Sequence, residues 1–307
     1  MKLKRLNYSD YDAIPALRNT ELREWAKSPR HWKLFVEQGF RPTKSMSLGS
    51  LVDTRILSPN EWDRDYYVQP ADASVIEAEI LKCRRYIAEW EAKAGQKNAA
   101  AKIDEWTAKL REAEDQARAA MDGNENKIAV TVGNGTIIDA CFASVLENAD
   151  AKAILESSHA QMTLEFEFDG VPCKARYDLI SDEGGITITD LKSASNASKI
   201  AFQWDFKKYL YWCQVGFYAL GVLEETGTLP VFKFIVVETN EPYNTGVYTV
   251  QPGDVIACIA EVRRLIRAWR DRPENPREID LMHYPSGDLN LHLGFDADPD
   301  FEFGVIY

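Results

Sequence analysis

The most informative segment of the sequence is Gly185-Ile186-Thr187-Ile188-Thr189-Asp190-Leu191-Lys192-Ser193. Apolar and β-branched residues alternate along it after a Gly-Gly turn, and this pattern predicts a β-strand. Residues two apart on a strand point to the same face, so Asp190 and Lys192 are expected to project together. A carboxylate and an ammonium are costly to place near a core. The pair is therefore either a solvated strand end or part of a functional site.

The residues before this strand predict a β-hairpin made of Met162–Phe168, the turn Asp169-Gly170, and Val171–Ile180. The second arm carries Asp178 and is the natural neighbour of the strand that holds Asp190. The sequence thus brings two carboxylates and one lysine to adjacent strands, in the spacing Asp-x11-Asp-x-Lys.

A third acidic side chain is available from the first arm of the hairpin. With a two-residue turn, Asp178 lies opposite Gln161, and Glu165 and Glu167 share its face of the sheet. We take Glu165 as the third acidic ligand, with Glu167 as the alternative.

Two carboxylates and a lysine suit the hydrolysis of a phosphodiester. Carboxylate oxygens bind hard cations such as Mg²⁺ or Mn²⁺. Such a cation lowers the pKa of its bound water and screens the phosphate charge. A lysine within reach of the same oxygens orients the water or neutralises developing charge.

The composition is that of a soluble globular protein of 307 residues, with 45% hydrophobic and 27% charged residues. No apolar run approaches the ~20 residues that span a bilayer, and the first residues lack the apolar region of a signal peptide. The five cysteines are scattered without a Cys-x-x-Cys motif, which argues against a disulfide framework and against a zinc or iron–sulfur site. We therefore expect a cytoplasmic protein without membrane contact.

The net charge of −12 argues against a general polyanion-binding surface. Residues 1–45 nevertheless carry a net charge of +5, so the rest of the chain carries −17. If the protein binds DNA, the contact is expected on a local basic surface.

Helical patterns surround the predicted strands. Residues 8–40 read as two helices separated at Ser28-Pro29. Residues 45–57 read as a buried helix in which Gly49 permits a close approach and Asp53 follows one turn later. Residues 74–121 form two apolar seams typical of an antiparallel helical hairpin.

The last pattern is a helical stretch over residues 199–224. Within it Gln214 and Tyr218 are four residues apart and share one face. Alone, they are ordinary helix residues.

Placed in order, the motifs resemble the exodeoxyribonuclease VIII (RecE-type) branch of the PD-(D/E)xK nucleases, the phage and prophage recombination exonucleases. The resemblance covers most of the chain outside 74–121. It is carried by the Ser28-Pro29 junction, Leu48-Gly49-x-x-x-Asp53, Leu57-x-Pro59, Cys173-Lys174-Ala175-Arg176-Tyr177-Asp178, Asp190-Leu191-Lys192-Ser193 and Gln214-x-x-x-Tyr218.

The resemblance implies an α/β fold with a restriction-endonuclease-like core, in which helices flank a central mixed sheet. A single domain over 1–307 would hold the hairpin 74–121 as an insertion. The implied activity is Mg²⁺-dependent (or Mn²⁺-dependent) resection of linear duplex DNA, 5′→3′, inside a bacterial host cell. The implied partners are double-stranded DNA ends, an annealing protein of the RecT/Bet type that takes the 3′ tails, and further copies in a ring.

By position, the resemblance makes Asp178 and Asp190 the metal ligands, the Leu191 carbonyl a third ligand and Lys192 the catalytic lysine. Gln214 and Tyr218 match a motif associated with the active site and DNA.

Two positions depart from the family pattern. Asp53 stands where relatives often carry His, and it could still bind a hard cation. Gln161 stands where many relatives carry Glu, so that Glu165 would have to substitute.

Two other hypotheses stay open. One is a PD-(D/E)xK nuclease with another task, an endonuclease or a Cas4-like adaptation nuclease, although the scattered cysteines speak against the four-cysteine iron–sulfur site of the latter. The other is a catalytically silent protein that binds DNA ends, which the acidic charge and the missing His favour.

Overall fold

A computed structural model describes residues 1–39, 44–70 and 73–282 of the chain. These residues form two compact units, one made of residues 1–49 with the chain from Ala143 onward, and one made of Ser50–Phe142. No helix in these ranges is long and apolar enough to cross a membrane. The single domain over 1–307 stays a prediction.

The described residues contain both strands and helices along their whole length. The strands are β1 Lys4–Arg5, β2 Leu17–Arg18, β3 Tyr66–Val68, β4 Ile128–Val130, β5 His159–Phe168, β6 Val171–Ser181, β7 Thr187–Ala194, β8 Val231–Glu238 and β9 Thr245–Val250. The helices are α1 Tyr8–Ala13, α2 Asn19–Lys27, α3 Pro29–Gln38, α4 Lys44–Leu57, α5 Pro59–Asp65, α6 Ala73–Glu91, α7 Ala99–Met121, α8 Val132–Glu147, α9 Ala149–Ser157, α10 Lys199–Lys208, α11 Tyr211–Thr226, α12 Pro252–Arg270 and α13 Pro276–Asp280.

The first unit is built on a mixed sheet with the strand order β1-β5-β6-β7-β8-β9. β5 pairs with β6, and β6 with β7, in antiparallel orientation, whereas β7 and β8 are parallel. α11 packs against β5 and β6, and α2 and α12 pack against α11. The predicted α/β fold, a central mixed sheet flanked by helices, is confirmed.

The predicted hairpin and its register are confirmed. Phe168 pairs with Val171, and the two turn residues Asp169 and Gly170 have φ values of 50° and 77°. Two left-handed residues between strands match the type I′ turn that the Asp-Gly sequence predicts.

β6 has two different neighbours along one edge. At one end Leu179 pairs with Thr189 of β7, and at the other end Cys173 pairs with Leu17 of β2. Between these two ladders β6 and β7 diverge, and this gap lies at Asp178.

The short strand β2 is held by a buried lysine. The ammonium of Lys174 donates hydrogen bonds to the carbonyl oxygens of Tyr11 (2.9 Å), Asp12 (2.9 Å) and Ile14 (2.7 Å). Burial lowers the pKa of Lys174, and the nearby charge of Arg18 lowers it further. The helix predicted from residue 8 starts there but ends at Ala13, because Leu17 and Arg18 pair with β6. The helices on both sides of the break at Ser28-Pro29 are as predicted.

The second unit holds the predicted helical hairpin. α6 and α7 pack along each other, with the rings of Tyr86 and Trp106 stacked at 4.4 Å. In the same unit β3 and β4 form a parallel pair. The apolar seams of residues 74–121 therefore join the two helices to each other, as predicted.

Close packing between α11 and α12 generates a prediction. A Cβ atom at Gly216 would lie 2.3 Å from the carbonyl oxygen of Cys258, so Gly216→Ala must push the two helices apart. We expect a loss of about 1–3 kcal/mol in the free energy of unfolding, measured by urea denaturation. The control is Gly253→Ala in α12, where an added Cβ meets nothing within 4 Å. Equal stability of the two variants would contradict this packing.

Candidate active site

The divergence of β6 and β7 opens a gap that the Asp178 carboxylate enters. Its Oδ2 atom accepts a hydrogen bond from the backbone N–H of Leu191 at 3.0 Å. The N–H and C=O groups of one strand residue point to the same side. The Leu191 carbonyl therefore also faces the gap, on the side of Asp178.

The second carboxylate is buried and held by two partners. Asp190 is 1% exposed, and its Oδ1 atom accepts a hydrogen bond from Nε2 of Gln214 at 2.5 Å. Its Oδ2 atom forms an ion pair with the Lys192 ammonium. Burial of an ionised carboxylate costs several kcal/mol in general unless it is paired and hydrogen-bonded. These two partners compensate for that cost.

Lys192 remains a cation in this setting. Burial disfavours its charged form, but the negative charges of Asp190 and Asp178 outweigh burial and raise the pKa of Lys192 above its ordinary value. The ammonium also lies 5.0 Å from the ring centroid of Tyr211, a cation–π distance. Lys192 is thus protonated at neutral pH.

α11 supplies the residues that surround this ion pair. The helical stretch predicted over 199–224 is broken, because Leu210 adopts a left-handed conformation (φ 55°) and α11 starts afresh at Tyr211. Tyr211 and Gln214 are three residues apart and both reach the β7 pair. Tyr211 was not among the predicted site residues. It lies three residues before Gln214, a spacing that places both residues on one face of a helix and could have identified it.

Tyr218 lies one turn after Gln214 on α11. Burial raises the pKa of its hydroxyl well above the ordinary value, and the charges of Asp190 and Asp178 add to the rise. Its ring packs edge-on against Tyr177 at 5.2 Å. The hydroxyl therefore stays protonated and acts as a hydrogen-bond group near the carboxylates.

Arg176 is a further cation on the Asp178 face of β6. It lies two residues from Asp178, and its guanidinium lies 5.7 Å from the ring centroid of Tyr8. Its buried Nε atom has no hydrogen-bond partner among the described residues. The sequence analysis quoted Arg176 within a motif without giving it a role.

Gly49 permits the close approach that the sequence predicted. A Cβ atom at this position would lie 2.8 Å from Oγ of Ser193, the residue after Lys192. Asp53, one turn later on α4, is half-buried and belongs to the second unit. Its role as a metal ligand stays a prediction.

Glu165 lies apart from the two aspartates. It pairs with Lys174 across the hairpin, four residues along β6 from Asp178, which corresponds to about 13 Å on a strand. Its carboxylate, 43% exposed, forms an ion pair with Lys4 at 2.7 Å. A shared strand face does not imply a shared location, and the structure does not bring Glu165 into the site.

The candidate metal ligands are few, and all of them are oxygen atoms. No group of three or more His, Cys, Asp or Glu side chains is arranged for a metal within 1–39, 44–70 and 73–282. The Asp178 and Asp190 carboxylates and the Leu191 carbonyl nevertheless converge on the gap. All three are oxygen donors, which Mg²⁺ and Mn²⁺ favour, and Mg²⁺ commonly keeps several waters as its other ligands.

Comparison with known proteins places these features in a family. Residues 12–272 match the family described as "PDDEXK-like domain of unknown function (DUF3799)". A crystal structure from Eubacterium rectale, described as a "Putative exonuclease", has a similar fold with a TM-score of 0.50 and 14% identity. The match covers 96% of this chain and 99% of that one. No curated protein sequence matches the chain.

The buried ion pair generates a stability prediction. Lys192→Met leaves Asp190 buried without its cation, so the free energy of unfolding at pH 7 should fall by about 3–5 kcal/mol in urea denaturation. Folding raises the pKa of Lys192, so the stability that its charge contributes is fully present below about pH 10.4, the pKa of a lysine in the unfolded chain. This stability is lost only above that pH. The deficit should therefore be constant from about pH 7 to pH 9.

The double variant Asp190→Asn/Lys192→Met is the control for this prediction. An asparagine side chain still accepts the Gln214 hydrogen bond but carries no charge, so most of the lost stability should return. A double variant as unstable as Lys192→Met would show that the ion pair is not the cause.

Proposed function

The chain belongs to the DUF3799 family of PDDEXK-like domains, and from this premise we propose that it is a metal-dependent nuclease that hydrolyses phosphodiester bonds in DNA. One observation carries the proposal. Asp178, Asp190 and Lys192 meet where two strands diverge, with the Leu191 carbonyl facing the same gap. A purely structural role gives no reason to gather two carboxylates and a lysine at such a place.

Asp178, Asp190 and the Leu191 carbonyl would hold the cation, Mg²⁺ or Mn²⁺. When bound, such a cation lowers the pKa of a water ligand and screens the charge of the phosphate. Gln214 fixes the orientation of the Asp190 carboxylate through its 2.5 Å hydrogen bond. The Leu191 N–H does the same for Asp178.

Lys192 acts as a positive charge and a hydrogen-bond donor. The negative charges of Asp190 and Asp178 oppose the effect of burial and raise the pKa of Lys192 above its ordinary value. A fixed ammonium beside the attacked phosphate stabilises the negative charge that develops in the transition state. The half-buried Arg176, on the same face of β6 as Asp178, would add a second positive charge near the phosphate.

The finer assignment is that of a RecE-type exonuclease acting 5′→3′ on linear duplex DNA. It is supported by the motif set, including Gln214-x-x-x-Tyr218, whose first residue contacts Asp190. In this proposal the 3′ tails pass to an annealing partner, and several copies of the chain assemble around the DNA.

The test uses linear duplex DNA labelled separately at each 5′ and 3′ end, incubated with Mg²⁺, Mn²⁺ or EDTA. We expect metal-dependent loss of nucleotides from the 5′ ends, with circular duplex left intact. Asp190→Ala should abolish this cleavage while DNA binding survives, because the binding surface is larger than the metal site. Lys192→Ala should lower the rate by a factor of about 100 or more.

The outcomes separate the alternatives. Cleavage of circular DNA would replace the exonuclease with an endonuclease. Binding of DNA ends without cleavage in any metal would favour the catalytically silent protein. Full cleavage by Asp190→Ala would remove the site assignment itself.

A further inference from the structure

The outer face of α10 carries apolar and basic side chains side by side. Ile200 and Trp204 are four residues apart on this helix and are 71% and 69% exposed. Isolated exposed apolar residues are common on proteins, but two large ones on one helix face form a patch. Burial against another molecule would remove this patch from water.

Basic residues follow this patch along the helix. Lys207 lies 5.8 Å from the ring centroid of Trp204, and Lys208 lies 5.0 Å from that of Tyr209, which is 45% exposed. α10 carries three lysines and one acid, the half-buried Asp205, in a protein whose net charge is −12. The patch is therefore locally basic on an acidic molecule.

A series of contacts leads from Lys208, at the end of α10, to the candidate active site. The rings of Tyr209 and Tyr211 lie 5.7 Å apart, and Tyr211 in turn lies 5.0 Å from the Lys192 ammonium. Three aromatic rings and three ammonium groups are thus interspersed from Trp204 to Lys192. Aromatic rings that stack on bases, combined with lysines that contact the backbone, are the usual means of holding single-stranded nucleic acid.

We propose that the exposed face of α10, made of Ile200, Trp204, Lys207 and Lys208, forms together with Tyr209 at its C-terminal end a stacking platform for unpaired nucleotides of the DNA that enters the active site. The inference rests on the proposed nuclease function. It adds that the DNA substrate has an unpaired segment and that α10 binds this segment. A base stacks on Trp204, and the two lysines contact the flanking phosphates. Blunt duplex, whose bases are already stacked, gains little from this face.

The test compares DNA binding in EDTA, where cleavage is blocked, by fluorescence anisotropy. The probes are a blunt duplex and the same duplex with an unpaired 5′ or 3′ tail of about 12 nucleotides. Trp204→Ala should weaken binding of at least one tailed duplex about tenfold or more and leave the blunt duplex unchanged. Trp204→Phe keeps an aromatic face and should retain most of the affinity.

Trp90→Ala on the helical hairpin is the matched control. Trp90 and Lys93 are three residues apart, as Trp204 and Lys207 are, and the ammonium lies 5.3 Å from the ring, compared with 5.8 Å in the α10 pair. They lie in the second unit. This variant should bind every probe like the wild type. Lys207→Ala/Lys208→Ala should also reduce the slope of log K against log salt by about 1.4 for tailed DNA.

Three results would overturn the platform. They are unchanged binding of both tailed duplexes by Trp204→Ala, equal weakening of blunt and tailed DNA, and an equal effect of Trp90→Ala. If the wild type cleaves DNA in Mn²⁺ while one of these results holds, only the platform fails. If the wild type neither binds nor cleaves any DNA, the proposed function fails as well.

Discussion

Burial of the Asp190 carboxylate is the constraint on which the candidate site depends. The side chain lies in the middle of β7 and is buried, and it is tolerated there because Gln214 donates to one oxygen and Lys192 pairs with the other. Those two partners come from different elements, α11 and β7. The Asp190 carboxylate therefore links α11 to the sheet.

The sheet has an opening beside Asp178, where β6 is paired neither with β7 nor with β2. β6 stays paired with β5 along its length, but its other edge is shared between β7 and the short strand β2. Lys174 holds β2 in place through three carbonyl oxygens of the preceding chain. In the gap between the two ladders β6 and β7 are not paired with each other. The backbone of Leu191 can therefore contact the Asp178 carboxylate there.

Local patterns predicted those parts of the fold that depend on neighbouring residues. Alternation identified β7, and the Asp169-Gly170 turn fixed the register of β5 and β6. The break at Leu210 was not predicted, because a left-handed leucine inside an aromatic helix is stabilised by tertiary packing. The alternation of side chains places Glu165 on the same face of the sheet as Asp178. It gives neither the distance between the two residues along the strands nor the ion pair of Glu165 with Lys4.

We propose that Asp178, Asp190 and the Leu191 carbonyl bind one divalent cation. Anomalous diffraction from crystals grown with Mn²⁺ would locate this cation. We expect a peak in the gap between β6 and β7, about 2.1 Å from oxygens of all three residues. Absence of a peak there at saturating Mn²⁺, with Asp190 still paired to Lys192, would contradict it.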